Sequence, residues 1–290
     1  MRNILFILLF VLVCSFAFSQ NIDVFRSYED SLQMLGKVML YSKDDSLKYR
    51  TNQKFEKILE KALNEPGAFN YKFDSLKTAT HLYSSDKKIR IFTWYFPKSD
   101  GTYKYYGIIQ MKNRKDTKLV DKSDGIQKPF TENLNANKWY GALYYDMILT
   151  KCNGKRYYTL LGWKGNDKLT LKKVIDVLSF NENKEPVFGE PIFVAEKKVL
   201  SRVIFEFSPQ VIMSLKFYKK DKMIIFDHLS PPGQQMNGQF QFYGPDMSCD
   251  AFVLKKGKWN LQIDVDARNP KNKAKEKMDS KRDAPKIGLK

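Results

Sequence analysis

Residues 139–163 read WYGALYYDMILTKCNGKRYYTLLGW, two runs of aromatic and β-branched residues on either side of Asn153-Gly154. Asn-Gly in that setting is the strongest short hairpin signal, because both residues accept the positive φ of a tight turn. The spacing predicts antiparallel strands over Trp139 to Thr150 and Lys155 to Trp163. The same rhythm extends in both directions. Upstream, Ile89 to Phe96 (IRIFTWYF) and Tyr103 to Met111 (YKYYGIIQM) flank Pro97-Lys98-Ser99-Asp100-Gly101 and form a second hairpin. Downstream, Val203 to Phe207 is expected to pair with Val211 to Tyr218, followed by strands at Met223 to Phe226 and Gln239 to Tyr243. Ala251 to Leu254 then pairs with Trp259 to Val265 around Lys256-Gly257-Lys258. Residues 168–178 (KLTLKKVIDVL) place apolar side chains at both two- and three-residue steps and are read as strand. The fold class is mostly β (α+β overall), with about ten antiparallel strands arranged as a β-sandwich or a propeller-like array. Hairpin blocks recur loosely about every 45 residues, but no repeated dipeptide marks them as blades.

Two helices precede the strands. Phe25, Tyr28, Leu32, Leu35 and Met39 step by three and four through residues 22–41, and Phe55, Ile58, Leu59, Ala62 and Leu63 do the same through residues 52–64. Asn64-Glu65-Pro66-Gly67 ends the second. An apolar seam of this kind marks a packing element. The last twenty residues (KNKAKEKMDSKRDAPKIGLK) hold no aromatic residue. They cannot bury enough apolar area to offset ordering, and 269–290 is expected to be a flexible basic tail.

At the other end Arg2 precedes an apolar run from Ile4 to Phe18, closed by Ala17-Phe18-Ser19 and a polar chain. This is the pattern of a cleaved secretory leader over residues 1–19, too short for a spanning helix of roughly 20 apolar residues. The mature chain is expected to start near Gln20, to lack a transmembrane segment and to work outside the cytoplasm. Cys14 is a poor lipid-attachment site because bulky Val13 precedes it. Losing the leader removes one base, Arg2, and no acid, so the net charge of +18 falls by one. Such a surface attracts polyanions. Outside the cytoplasm these are acidic glycans, lipid head groups and cell-wall polymers, so no nucleic-acid partner is expected. Cys152 and Cys249 then remain, either paired across a long loop or present as two small buried hydrophobes. No CxxC or zinc spacing occurs, and no cofactor is expected.

Several blocks carry a family likeness. Leu160-Leu161-Gly162-Trp163 with Gly165-Asn166-Asp167, and Lys184-Glu185-Pro186-Val187-Phe188-Gly189 with Pro191-Ile192-Phe193, are similar to stretches in uncharacterised exported proteins of the Bacteroidota. So are Ile225-Phe226-Asp227-His228-Leu229 and Phe242-Tyr243-Gly244-Pro245-Asp246 with Asp250. The resemblance covers residues 85–268 as one β domain behind a helical segment at 20–84. It brings no reaction with it. It implies a Gram-negative envelope address, and the Ser19-Gln20 junction resembles cleavage sites of that group. No appended C-terminal β-domain of the kind that directs secretion in those bacteria is visible, so the periplasm or the outer envelope is expected.

Chemistry-bearing residues are sparse. With only His81 and His228 present, metal and acid–base schemes are limited. Asp227, His228 and Ser230 crowd one loop mouth, yet neighbours on an extended chain point to opposite faces, so Asp227 is badly placed to orient His228. There is no G-x-S-x-G elbow. Asp246 and Asp250 flank a Gly-Pro-Asp turn, and two carboxylates on one cleft suit glycoside hydrolysis when roughly 5 to 9 Å apart. Asp264, Asp266 and Asn269 have oxygen spacing for calcium but lack the glycine and distal glutamate of an EF-hand, and Lys271 and Lys273 oppose a cation. Trp163, Asn166, Asp167 and Tyr243 are candidate binding residues on turns. Two readings follow: a non-catalytic envelope protein that binds or scaffolds an envelope protein or an anionic glycan or lipid surface, or a glycan-directed hydrolase using Asp246, Asp250 and His228.

Overall fold

Asn153 and Gly154 adopt φ of 50° and 76°, and around them Cys152 faces Lys155 and Leu143 faces Trp163 in one long hairpin. The computed structural model that contains it describes residues 2–112 and 114–266, with side chains from residue 22 onward. The hairpin strands, β6 (Leu143–Cys152) and β7 (Lys155–Gly165), belong to a middle sheet with β8 (Leu171–Phe180), β9 (Pro186–Phe188), the short β5 (Leu134–Asn135) and β12 (Val203–Phe207). β8 pairs with β12 along its first half and with β9 along its second.

This sheet is buried on both faces, which is why its strands read as near-continuous apolar runs. Adjacent side chains enter different cores. Leu160, Val174 and Ile204 pack toward a four-stranded sheet made of β1 (Thr80–Tyr83), β2 (Ile89–Pro97), β3 (Tyr103–Met111) and β4 (Thr117–Val120). Leu161, Ile175, Val203 and Phe205 pack toward an outer sheet ordered β11-β10-β16-β15-β14-β13. Its strands are β10 (Phe193–Ala195), β11 (Lys198–Leu200), β13 (Leu215–Tyr218), β14 (Met223–Ser230), β15 (Gly244–Lys255) and β16 (Lys258–Gln262). Trp259 crosses the second core and donates from Nε1 to Thr159 Oγ1 at 3.0 Å. The far face of the four-stranded sheet, with Phe92, Trp94 and Phe96, is covered by α1 (Arg2–Tyr41) and α2 (Asp45–Asn64).

The architecture is therefore a helical pair on three stacked sheets, of the sandwich kind. The mostly β expectation holds, with sixteen strands among the described residues. The additional strands are short pieces of two to four residues, below what a sequence pattern resolves. Two pairings differ from expectation. β12 joins the middle sheet and pairs with β8, because it is apolar on both faces, and β13 pairs with β14 instead. Residues 240–242 form a single 3-10 turn where a strand over Gln239 to Tyr243 was expected, and the strand begins only at Gly244. One pairing is parallel, β10 with β16.

α2 starts earlier than its apolar repeat. Asp44 caps it by accepting from the Leu47 amide at 3.2 Å, and Lys48, Thr51 and Asn52 are buried on its inner side. The expected leader lies where side chains are not described. The expected tail over 269–290 lies outside the described residues. Among the described residues no helix is long and apolar enough to cross a membrane.

Candidate functional site

His228 meets Asp250, not Asp227. A two-residue excess on β15 opposite His228 breaks the ladder between Asp227↔Cys249 and Leu229↔Pro245. The His228 ring turns to Asp250, with Nδ1 2.8 Å from Oδ2. The other Asp250 oxygen accepts from the Asp264 amide at 2.9 Å, and the residue is 1% exposed. Asp227, one residue away, points to the opposite side as extended geometry requires, and accepts from the Ser214 amide at 2.7 Å. Asp246 is exposed and folds onto its own turn, accepting from the Ser248 amide and hydroxyl at 3.0 and 2.7 Å.

Of the four candidate catalytic residues, the fold sets His228 against Asp250, and both Asp250 oxygens are engaged in holding strands together. None of the four lines any of the three clefts described below. Asp264 sits at φ 54° and serves the Asp250 clamp through its backbone; Asp266 is exposed, and Asn269 lies outside the described residues. Among the described residues no cluster of three or more His, Cys, Asp or Glu side chains is placed to hold a metal.

The candidate binding residues are occupied locally. Trp163 packs on Tyr95 and Tyr103 with ring centres 5.3 and 5.5 Å away. Asn166 donates to Thr170 and Asp167, Asp167 accepts from the Leu169 and Thr170 amides, and Tyr243 is buried with its hydroxyl on the Gly238 amide. Both cysteines are free. Cys152 lies against the Lys256 carbonyl, seven residues along β15 and its turn from Cys249. At ~3.3 Å per residue that is far beyond disulfide reach. Burial and the carboxylates of Asp227, Asp250 and Asp246 push the Cys249 thiol up. Asp227→Asn is expected to speed iodoacetamide labelling of Cys249 several-fold at pH about 8 while Cys152 is unaffected. Mass spectrometry reads both rates, and an unchanged Cys249 rate refutes the electrostatic account.

The clefts lie elsewhere. One, of 720 Å³, opens at the edge shared by the four-stranded and middle sheets, between the β3–β4 turn and the β8–β9 turn. Arg114, Lys115, Lys118 and Lys184 line it, against the two carboxylates Asp116 and Glu185, the latter accepting from Asn181. Lys118 pairs with Glu60 on α2, whereas among the described residues no carboxylate lies within ion-pair distance of Arg114, Lys115 or Lys184. Asp116 sits in the same wall with Oδ2 buried and no hydrogen-bond partner, and burial raises its carboxyl to about 6 against the opposing pull of Arg90.

Neither known protein families, curated proteins nor solved structures match this chain.

Sequence reasoning did not single out these cations, because each is one lysine or arginine among 50 bases. The signal lay in the placement of Arg114 and Lys115 and of the turn at 181–185, which the fold brings to one cleft.

Proposed function

We propose that the chain is an exported, envelope-associated binding protein that holds an acidic glycan in the basic cleft without catalysing a reaction on it. The observation that carries this reading is the wall of Arg114, Lys115 and Lys184, three cations free of carboxylate partners among the described residues, around 720 Å³. Cations held in a concavity focus field on an anion more strongly than the same charges spread over a convex surface. The overall charge of +18 and the leader-like residues 1–19 support an anionic partner met outside the cytoplasm. An acidic glycan is favoured over a lipid surface because the cations sit in a cleft and not on a flat face. The hydrolase reading has less support, since Asp250 is tied by both oxygens and Asp246 by its own turn.

The test uses polygalacturonate as probe and phosphatidylglycerol vesicles as comparison. Binding of the glycan is expected to weaken at least about tenfold in Lys115→Glu/Lys184→Glu and to fall as salt rises from about 50 to about 300 mM. Ionised Asp116 opposes an anion, and its raised carboxyl is neutral below about 6. Affinity is therefore expected to rise from pH about 7.5 to about 5. Unchanged binding by the double variant, or capture of vesicles and not of glycan, overturns the reading.

A further inference from the structure

On the opposite edge of the four-stranded sheet, residues 65–79 link α2 to β1 with no regular structure beyond one turn at Ala68–Asn70. Irregular segments of about 12 to 15 residues inside a packed fold are uncommon, and ordered ones are usually functional. This one is held by side chains from α1, β1 and β2. Arg90, fully buried, donates to the carbonyls of Tyr71 at 2.7 Å and Ala68 at 3.0 Å. Tyr83 donates to the same Tyr71 carbonyl at 2.6 Å. From the side, buried Glu29 accepts from the Tyr71 hydroxyl at 2.6 Å and the Ser75 amide at 2.8 Å, and Gln33 accepts from the Lys77 amide. Phe73 adopts φ 55°, a left-handed conformation that strains a bulky residue and persists only where the surroundings enforce it. Enforced strain of this kind concentrates at ligand-holding sites.

Two adjoining clefts of 550 and 590 Å³ lie on either side of this arch and share Asn70, Lys72 and Asp74. They share no lining residue with the basic cleft. We propose that the arch carries a second binding site, and that its ligand is a neutral saccharide.

The class follows from the walls. In one cleft Arg26 and Lys72 face Glu29 and Asp74, so base and acid balance in a chain whose surface is otherwise strongly basic. In the other, Lys72 and Lys87 meet Asp74 beside His81. Such a wall has no net attraction for an anion comparable to that of the basic cleft. It does offer donors and acceptors at close spacing: the Asn70 amide, the Asp74 carboxylate, Lys72 and the exposed hydroxyl of Ser85. The Nδ1 of His81 is buried in this wall with no hydrogen-bond partner among the described residues. Interleaved with these polar groups are the partly exposed rings of Phe69, Tyr71 and Tyr83. A sugar ring presents C–H faces to aromatic rings and hydroxyls around its rim, and matches this alternation.

The experiment is titration calorimetry of the full chain with two uncharged probes, an N-acetylglucosamine tetramer and a glucose tetramer. At least one is expected to bind, with affinity changing less than about twofold between about 50 and about 300 mM salt. Asn70→Ala and Asp74→Ala, both at exposed positions, are each expected to weaken binding about tenfold. Circular dichroism checks that both variants fold, and Asn70→Asp provides a second, isosteric change at the same position. Lys115→Glu/Lys184→Glu, which disables the basic cleft, is expected to leave binding intact, so failure of one site is distinguishable from failure of the other. Absence of binding by both tetramers, unchanged affinity in the Asn70 and Asp74 variants, or loss of binding in the basic-cleft variant overturns the proposal.

Discussion

Replacing Arg202 by methionine is expected to lower the unfolding free energy by about 3 to 5 kcal/mol, the range for stranding one partner of a buried ion pair. Arg202 and Asp176 are both fully buried between the middle and four-stranded sheets, with Nε and Oδ2 2.9 Å apart. Nη1 donates to the Pro129 carbonyl, and the guanidinium faces the Tyr140 ring at 5.3 Å. The carboxylate also accepts from the Tyr144 hydroxyl, which in turn accepts from Trp139 Nε1. Without Arg202 this chain of hydrogen bonds ends on an uncompensated charge. Asp176→Leu leaves the opposite charge and is expected to cost a similar amount. The double replacement removes both and is expected to cost clearly less than the sum, because desolvation of the pair offsets much of its attraction. Urea denaturation measures all three, and additive losses would falsify the pairing argument.

Arg90→Met is expected to cost about 3 kcal/mol or more, since several hydrogen bonds from a charged donor are lost inside the fold. Arg90 has no carboxylate within ion-pair distance among the described residues; burial lowers its pKa, and the rings of Phe92, Tyr83 and Phe73 surround it at 4.6 to 5.1 Å. Its acceptors are two backbone carbonyls of the arch, the Tyr83 hydroxyl and Gln110 Oε1. The loss is therefore local as well as global. Amide exchange across residues 66–79 is expected to accelerate far more than exchange in the β6–β7 hairpin. A uniform change over both regions sinks the idea that Arg90 holds the arch.

The sequence made the hairpins legible because their information is local. Asn153-Gly154 and Lys256-Gly257 both take the positive φ that their turns demand, and the helical seam of Phe55, Leu59 and Leu63 faces the sheet as its spacing implies. Sheet membership was not legible. β12 and β13 are neighbours in sequence but lie in different layers, and only the burial of Ile204 on one side and of Val203 and Phe205 on the other reveals this. The partner of His228 was not legible for a related reason: the bulge that turns His228 to Asp250 depends on residues on the facing strand. The informative charges were visible and overlooked. Arg90 in IRIFTWYF, Asp176 in VIDVL and Arg202 before VIF each interrupt an apolar run, which marks an ionic group the interior must accommodate. The basic cleft left no local trace, since it joins residues 111–118, 135–137 and 181–187, and the cleft beside α1 joins 22–29 to 67–75.

The parallel contact of Phe193 and Val194 with Trp259 and Asn260 sets the order of assembly. The β10–β11 hairpin gains its inner neighbour only when the final strand of the described chain is in place, and until then the surface that Trp259 covers stays wet. Closure over so long a sequence separation is slow. A polypeptide that ends before Lys258 therefore lacks the neighbour of Phe193 and Val194 and is left with an open strand edge, a target for chaperones and quality-control proteases.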